Sequence, residues 1–413
     1  MPGRILLDVT PLRESRDFRL LFIGQLISML GTQLTVVAIP YQVFRLTGSS
    51  LQVGSISLAQ LFPFIAGALL AGPIGDSVDR RRIMVWTAAA MALTSALLAF
   101  NASVAHPSLI ALYVVSSVAA GFLGFSSTAR MASVPGLVTR LQMPAAMAMM
   151  QIIVQVGTIV GPALSGILLG IGLQLVFAID AATFVVALLA TSLMLPIPPG
   201  EHSGLSAWES TKEGVRYLRS RQALQGVYIV DINAMVFGMP RALFPAMQVH
   251  VFHGGTIILG FLYAAPGVGA LLGAVTTGWV VHLKRQGRAV IVAVIAWGAA
   301  ITVFGLVHTL WICLVMLGLA GWADVISAVL RNTILQTSIP ERFRSRMSSI
   351  QMAVVQGGPR LGDMESGAVA TATSLEFSVV SGGLACIAGA VVIGALMPGF
   401  RRHNAVGDDE VPV

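Results

Sequence analysis

Charged side chains are scarce in this sequence. Only 10% of its 413 residues are Asp, Glu, Lys or Arg, whereas 56% are hydrophobic. Soluble proteins carry about 25% charged residues, and a single water-facing domain cannot bury so much apolar side chain. The composition therefore excludes a soluble globular protein and predicts an integral membrane protein.

The sequence has only two cysteines and no cluster of histidines. Cys313 and Cys386 each lie in an apolar run, which indicates neither a disulfide nor a metal site, and the seven histidines are scattered. The sequence contains no H-E-x-x-H, G-x-S-x-G or phosphate-binding Gly-Lys-Ser/Thr motif. We therefore expect no enzyme activity, no cofactor, no metal site and no ATP-driven transport.

Long apolar runs are abundant. Twelve of them reach roughly 20 residues, the length at which an α-helix crosses a hydrocarbon core of ~30 Å, so the expected fold class is an all-α membrane protein with twelve transmembrane helices. The predicted spans are Phe18–Phe44, Leu51–Gly75, Ile83–Asn101, Ser108–Val134, Pro144–Gly170, Leu173–Leu195, Ala223–Val249, Thr256–His282, Ala289–Val307, Leu310–Thr337, Met347–Thr371 and Leu375–Met397.

The basic residues are concentrated in every second segment between these spans. If the N-terminus is cytoplasmic, nearly all Lys and Arg residues fall in cytoplasmic segments, and the outer loops hold only Arg45. This distribution obeys the positive-inside rule and predicts both termini on the cytoplasmic side of a bacterial cytoplasmic membrane. No aromatic-rich basic surface accompanies the net charge of +7, so we expect no nucleic-acid partner.

The two halves of the chain resemble each other. Several small and polar residues recur in the same order, at an offset of 206 positions for the early spans and 201 positions for the later ones. The pattern predicts a six-helix bundle over residues 1–195, a cytoplasmic linker with an amphipathic helix over 196–222, and a second six-helix bundle with a short tail over 223–413. Parallel repeats of this kind place a cavity at their interface and give alternating access by rocking.

The loop after the second span reads GPIGDSVDRRR. A glycine lets two helices approach closely, and an acid near a helix end accepts hydrogen bonds. We interpret the segment as a gating loop; the alternative is a positive-inside loop with an incidental acid. The candidate gating residues in this loop are Gly72, Asp76, Arg80, Arg81 and Arg82. Two further candidates, Arg130 and Arg331, lie at repeat-related inner helix ends, where snorkelling of the side chain is the alternative.

This loop resembles the pattern of the major facilitator superfamily. The family pattern is Gly, three residues, Asp, a basic residue, any residue, Gly and further basic residues. The chain keeps Gly72, Asp76 and two of the arginines, and it departs from the pattern at Ser77 and Asp79. The departures weaken an inference about a complete charge relay and leave the predicted topology unaffected.

The fifth span contains QVGTIVGPALSG. It is similar to the Gly-x-x-x-Gly-Pro-x-x-x-Gly signature of proton-coupled drug exporters, and the matching residues are Gly157, Gly161, Pro162 and Gly166. Glycines four residues apart form a groove for a partner helix, and the proline kinks the helix. Ordinary packing of small residues is the alternative.

Later segments resemble the enterobactin-exporter group of the same superfamily. They are FPAMQVHVF, GFLYAAPGVGALLGA and NTILQTSIPERFRSRM. The resemblance implies proton-driven efflux of a siderophore or a drug-like molecule.

A few charges lie inside the predicted spans. Each costs at least ~2.5–3.5 kcal/mol on the insertion scale, so these residues are functional candidates. Arg241 and Arg360 are candidates for attracting an anionic or polyphenolic substrate, and Asp324 or Asp363 for carrying the coupled proton. A static ion pair between spans ten and eleven is the alternative. Asp180 is expected to anchor its span by hydrogen bonds, and Asp231 remains ambiguous.

Neutral polar residues in the first half complete the candidate set. Gln33, Gln151 and Gln155 could hydrogen-bond a substrate, with polar helix packing as the alternative. We expect a monomeric, proton-coupled secondary transporter that exports a small organic molecule, a siderophore in the first instance, with protons, substrate and membrane lipid as its partners. The alternatives are a multidrug efflux antiporter and, less favoured, a facilitator or importer on the same scaffold.

Overall fold

The computed structural model describes residues 8–75, 77–198, 213, 216–219 and 221–404, and these are almost entirely helical. The chain separates into two compact units. The first unit consists of Met1–Leu46 and Ala59–Gly204, and the second consists of Thr47–Leu58 and Leu205–Val413. The domain limits expected from the sequence, with one bundle ending at residue 195 and the next beginning at 223, stay a prediction.

Six long helices account for the first six spans. They follow a short N-terminal helix and lie in the first unit, except that the beginning of the helix Ser50–Gly75 belongs to the second unit. The helices are α1 (Thr10–Glu14), α2 (Arg16–Thr47), α3 (Ser50–Gly75), α4 (Arg80–Ser103), α5 (Leu109–Ser133), α6 (Met143–Ile171) and α7 (Leu173–Ser192).

Eight further helices lie in the described part of the second unit from residue 221 onward. They are α8 (Gln222–Phe237), α9 (Phe244–His250), α10 (Thr256–Thr276), α11 (Gln286–Leu306), α12 (Leu310–Ser338), α13 (Glu341–Ala372), α14 (Leu375–Leu396) and α15 (Pro398–Arg401). The seventh span is therefore broken between α8 and α9, where the sequence predicts one continuous helix. Gly238 and Pro240 lie in the break, and proline cannot continue the helical hydrogen-bond ladder.

The expected all-α membrane fold is confirmed. Among the described residues, eleven helical spans are long and apolar enough to cross a membrane, with α8 and α9 counted as one span. The twelfth span is α13, which is a continuous helix of 32 residues. Its charged residues make it less apolar than the other eleven spans.

Each unit packs its helices through small residues. In the first unit α4 packs against α5 and α7, and in the second unit α11 packs against α12 and α14. Gly67 on α3 lies against the backbone of Gly121 on α5, so that a side chain at Gly67 has no room. Close backbone approach at glycine is the usual way in which membrane helices associate.

The units repeat their glycine contacts at the offsets seen in the sequence. Gly67 lies against Gly121 in the first unit, and their counterparts Gly273 and Trp322 lie against each other in the second. Gly157 lies against Met29 in the first unit, and their counterparts Gly358 and Met235 do so in the second. Each residue of the second unit lies 206 or 201 positions after its counterpart. The internal repeat is therefore present in the packing as well as in the residue pattern.

The amphipathic linker helix expected within 196–222 lies mostly outside the described residues. Residues 216–219 are helical. Within them, the ring of Tyr217 stacks on Phe343 of α13, with 4.4 Å between the ring centroids. This contact fastens the end of the linker to the second unit.

Candidate functional site

A buried charge cluster joins α8 to α12 in the second unit. Nη1 of Arg331 lies 2.8 Å from Oδ1 of Asp231, and Nη2 of Arg331 lies 3.8 Å from Oδ1 of Asp324. The side chains of Arg331 and Asp231 are each 7% exposed, whereas that of Asp324 is 31% exposed. One arginine is therefore shared unequally between two carboxylates.

The spacing on α12 explains why Asp324 reaches the same arginine. Residues seven apart lie two turns apart on one face of a helix, so Asp324 and Arg331 point in the same direction. Asp231 reaches the guanidinium from α8, which packs against α12. The short contact between Arg331 and Asp231 lacks good hydrogen-bond angles, so it is a charge–charge contact more than a directed hydrogen bond.

The cluster has more negative than positive charge when both acids are ionised. A proton on either carboxyl group would remove the excess and change which acid holds the arginine. Asp324 is the more exposed and the more distant of the two acids. Asp231 therefore holds Arg331 more closely than Asp324 does.

A second cluster surrounds Asp363 on α13. Its carboxylate accepts hydrogen bonds from the hydroxyl of Ser57 on α3 and from the backbone N–H of Ala242, and Arg241 and Arg360 attract it electrostatically. The residue is 7% exposed. Two neutral donors and two cations therefore surround this acid.

The break in the seventh span creates this second cluster. A short 3-10 turn over Arg241–Leu243 follows the break and points the Ala242 amide at Asp363. The indole N–H of Trp297 donates to the carbonyl of Gly238 at 2.8 Å and so satisfies another backbone group that the break releases. Irregular backbone at membrane depth needs such partners, and in transporters it occurs where helices line a path.

The remaining charges of the second unit lie around this acid. Nη1 of Arg360 donates to the carbonyl of Gln356 at 2.7 Å, and Arg360 and Arg241 repel each other as they flank Asp363. The hydroxyl of Tyr263 donates to the carbonyl of Arg241 at 3.1 Å. Both proposed substrate arginines therefore lie at one acid, and the proposed proton acid Asp324 pairs with a different arginine.

Two arginines of the proposed gating loop bind the ends of neighbouring helices. Arg80 donates to the carbonyl of Ala132 at 2.5 Å, and Arg81 donates to that of Ser192, so each satisfies an unpaired carbonyl at the C-terminal end of α5 or α7. Arg82 is exposed. Gly72 lies in the last turn of α3, and Asp76 lies outside the described residues.

Asp79, where the chain departs from the family pattern, has a clear role. Its carboxylate accepts the backbone N–H of Arg81 at 2.9 Å and caps the N-terminus of α4. The same oxygen accepts the N–H of Ile197 at 3.1 Å. Asp79 therefore ties the start of α4 to the segment that follows α7.

Arg130 on α5 occupies the position that corresponds to Arg331. Its Nη1 donates to the hydroxyl of Ser126, one turn earlier on the same helix, at 2.5 Å. The repeat is therefore unequal in charge, because Arg331 has two carboxylates where Arg130 has a hydroxyl.

The glycines of the exporter-type signature bring α6 against α2. Gly157 contacts the side chain of Met29, and Gly161 contacts Gln33, so Gln33 lies at this helix interface. The hydroxyl of Ser165 donates to the carbonyl of Leu34 at 2.9 Å. Pro162 lies inside α6, and Gly166 is buried on the same helix.

The other two candidate glutamines, Gln151 and Gln155, lie on α6. Gln151 is exposed and Gln155 is partly buried on α6. Asp180 on α7 accepts hydrogen bonds from the hydroxyls of Thr35 at 2.7 Å and Ser95 at 2.8 Å. The acid thus links three helices, which is the anchoring role expected from the sequence.

Several residues of these clusters were not selected from the sequence. Asp231 was ambiguous because its partner is one hundred positions away, and Ser57, Tyr263 and Trp297 are ordinary residues in apolar spans. A usable signal exists for Asp231. An acid and an arginine at membrane depth need partners, and α8 and α12 each carry such a residue.

Comparisons with known proteins agree with this architecture. A family model described as "Transmembrane secretion effector" matches residues 8–410. The chain is 29% identical over 395 residues to the enterobactin exporter EntS of Citrobacter koseri, with 95% of this chain and 93% of the relative covered. It is 28% identical over 394 residues to the enterobactin exporter EntS of Escherichia coli, with the same coverage.

Solved structures of transporters share the fold. The nucleoside transporter NupG, as its D323A mutant, gives a TM-score of 0.76 at 13% identity and covers 92% of this chain and 99% of its own. A bacterial homologue of the iron transporter ferroportin gives a TM-score of 0.68 at 14% identity, with 94% and 99% covered. At such low identity these structures support the fold alone.

Proposed function

Because the chain belongs to the transmembrane secretion effector family of the major facilitator superfamily, we propose that it exports a siderophore from the cytoplasm in exchange for protons. The observation that carries the proposal is the 28–29% identity, over 95% of the chain, to two proteins named as enterobactin exporters. Because the match extends through all twelve spans, it is more than a similarity of single motifs.

We assign the coupled proton to Asp324. When Asp324 is ionised, it competes with Asp231 for Arg331; when it is protonated, Arg331 pairs with Asp231 alone. A carboxyl group whose partner changes in this way can couple proton uptake to a conformational change. The distances of 2.8 Å and 3.8 Å, in which Asp231 already holds the arginine more closely, support this assignment.

We assign substrate attraction to Arg241 and Arg360. A siderophore with catechol or carboxylate groups presents oxygen acceptors, and guanidinium groups bind such oxygens with charge-assisted hydrogen bonds. Asp363 balances the two arginines while no substrate is bound, which lowers the cost of holding two cations at membrane depth. Asp363, which the sequence also offers as a proton carrier, is thereby the less favoured of the two acids.

We further propose that the bundles 1–195 and 223–413 rock about a cavity between them, with the loop arginines and Arg130 contributing to the gate. Arg80 and Arg81 bind the ends of α5 and α7 within the first bundle, and these bonds would keep the loop fixed to that bundle as it moves. Both termini on the cytoplasmic side and a monomeric state complete the proposal.

Secretion from cells tests the exported substrate. The gene is expressed in a bacterium that synthesises a catecholate siderophore and lacks its own exporter, and siderophore in the medium is measured by chromatography. The proposal expects secretion to return, and it fails if a well-expressed protein restores none. An Arg241→Gln variant is expected to secrete less at equal protein level.

A multidrug efflux antiporter is the second candidate. The Gly157–Gly166 signature on α6, with Gly161 packed against Gln33, favours it. The same cells are tested for resistance to a panel of cationic and neutral drugs. Resistance without siderophore secretion would replace the first function by the second.

A further inference from the structure

Four arginines converge on one cavity at the end of the second unit. Arg285, Arg288, Arg401 and Arg402, together with Asn404, line a cavity of about 550 Å³. The first two arginines lie at the start of α11, and the other two lie at the end of α15. Two separate chain segments therefore contribute guanidinium groups to one cavity.

The scaffold of this arginine cavity is tightly built. Gly287 lies against the backbone of Phe400 with no room for a side chain, and Phe400 itself is fully buried. A backbone bridge joins Arg285 to Asn404, and the side-chain oxygen of Gln222 accepts the N–H of Gly399 at 2.8 Å. The two backbone segments that carry the arginines are thus fixed against each other by the fold, and the side chains of Arg285, Arg288 and Arg402 are exposed.

The charge of the cavity is not balanced by the residues described around it. Among those residues, no acidic side chain lies within 4.0 Å of any of the four guanidinium groups. Arg285 is also the N-cap of α11 and leaves the amides of the first turn without a side-chain cap. These amides and the helix dipole add to the positive potential, which favours an anion.

Other arginines at helix ends of the chain are used differently. Arg80 and Arg81 each direct one donor to a backbone carbonyl of the first unit. Guanidinium groups carry planar pairs of donors that fit the oxygens of a phosphate. Four of them around one volume are suited to a phosphate group.

The location identifies the source of the phosphate. The cavity lies at the start of the membrane span α11 and just after the end of the membrane span α14. The positive-inside rule places this end at the cytoplasmic leaflet, where anionic headgroups lie. A volume of about 550 Å³ also exceeds what a single phosphate group requires.

We propose that the cavity lined by Arg285, Arg288, Arg401 and Arg402 is a specific binding site for the phosphate of an anionic phospholipid headgroup. The lipid would bridge the start of α11 and the end of α15 and hold these two segments together. Binding at this site is separate from transport, so the test does not depend on the proposed substrate.

The test measures lipid binding to the purified full-length protein. The full chain is used because its last residues include Asp408, Asp409 and Glu410, whose charges could compete with lipid. Native mass spectrometry measures the binding of cardiolipin, phosphatidylglycerol and phosphatidylethanolamine. The arginine variant is Arg288→Gln with Arg402→Gln, which removes one charge from each segment.

A matched control variant removes the same charge elsewhere. Lys284→Gln with Arg140→Gln changes two exposed basic residues that do not line the cavity. We expect affinity for the first cardiolipin to fall about tenfold or more in the arginine variant, because each basic residue contributes to headgroup attraction. The control is expected to stay within about twofold of the wild type.

Three outcomes would overturn the proposal. The first is equal affinity in the wild type and the arginine variant, and the second is an equal loss in both variants, which would mean general surface attraction. The third is displacement of cardiolipin by inorganic phosphate at comparable concentration, which would mean a site for free phosphate. Unchanged elution and circular dichroism of each variant verify that it is folded.

Discussion

Nη1 of Arg331 lies 2.8 Å from Oδ1 of Asp231, and both side chains are only 7% exposed. Removing two charges from water costs several kcal/mol per ion, and a buried pair often adds little net stability. Such a pair needs another reason to be present. The third charge, Asp324 at 3.8 Å from Arg331, provides that reason if the arginine exchanges partners during transport.

The first prediction concerns the stability of this pair. Asp231→Asn removes the close partner of Arg331 and leaves the guanidinium with only the more distant Asp324. We expect the free energy of unfolding to fall by about 3–5 kcal/mol, because an uncompensated buried charge is costly. Thermal unfolding of the purified protein in detergent measures the loss.

A double variant provides the control for that prediction. Adding Arg331→Gln to Asp231→Asn removes both charges, and part of the lost stability should return. The coupling energy from the double-mutant cycle then reports the pair itself. If the double variant were as unstable as the sum of the two single variants, the two residues would not be coupled.

The second prediction concerns proton coupling. Asp324→Asn keeps the size of the side chain and removes its proton site. In vesicles with an imposed pH gradient, accumulation of siderophore should fall about tenfold or more. A ratio of this size corresponds to a coupling free energy in the usual range. Exchange of labelled for unlabelled siderophore should continue, because it needs no net proton transfer.

Glu365→Gln is the matched control, since Glu365 is a partly buried acid on α13 outside both clusters. It should leave accumulation close to that of the wild type. Accumulation that persists in Asp324→Asn, or that is lost equally in Glu365→Gln, would remove Asp324 from the coupling role.

The third prediction concerns the glycine groove of α6. A methyl group at Gly161 would overlap the side chain of Gln33, whereas one at Gly278 would meet nothing within 4 Å. Gly161→Ala should therefore lower the free energy of unfolding by about 1–3 kcal/mol, as expected for overpacking. Gly278→Ala should be neutral in the same thermal unfolding assay, and an equal effect of both would argue against close packing at Gly161.

The fourth prediction concerns the cap of α4. Asp79→Ala removes the acceptor for the N–H groups of Arg81 and Ile197. The loss should be about 0.5–2 kcal/mol, the usual value of an N-cap, and Asp79→Asn should retain most of the stability. Equal destabilisation by Ala and Asn would mean that charge, and not capping, is the contribution of Asp79.

The sequence predicts the architecture well, because span length and loop charge are local properties. Even α13 can be recognised despite Arg360 and Asp363, since its neighbours and the repeat require a helix there. The close contacts at glycine are also predictable, because glycines four residues apart on an apolar helix typically allow another helix to approach closely.

The pairing of charges was not predictable in the same way. Asp231 and Arg331 are one hundred positions apart, and residue order does not say which faces of α8 and α12 meet. The break at Gly238 and Pro240 is not predicted because the surrounding window is still long enough and apolar enough on average for one membrane-spanning helix. Its consequence, an Ala242 amide that points at Asp363, depends on three-dimensional packing and leaves no local pattern.

One measurement tests proton-coupled export most directly. Vesicles that contain the purified protein are loaded with enterobactin and a pH-sensitive dye and are then diluted into substrate-free buffer at equal pH. The account predicts that outward flow of the siderophore acidifies the interior, and that this acidification is absent in Asp324→Asn and in vesicles without protein. Outward flow through the wild-type protein with no change in internal pH would contradict the account and identify a facilitator.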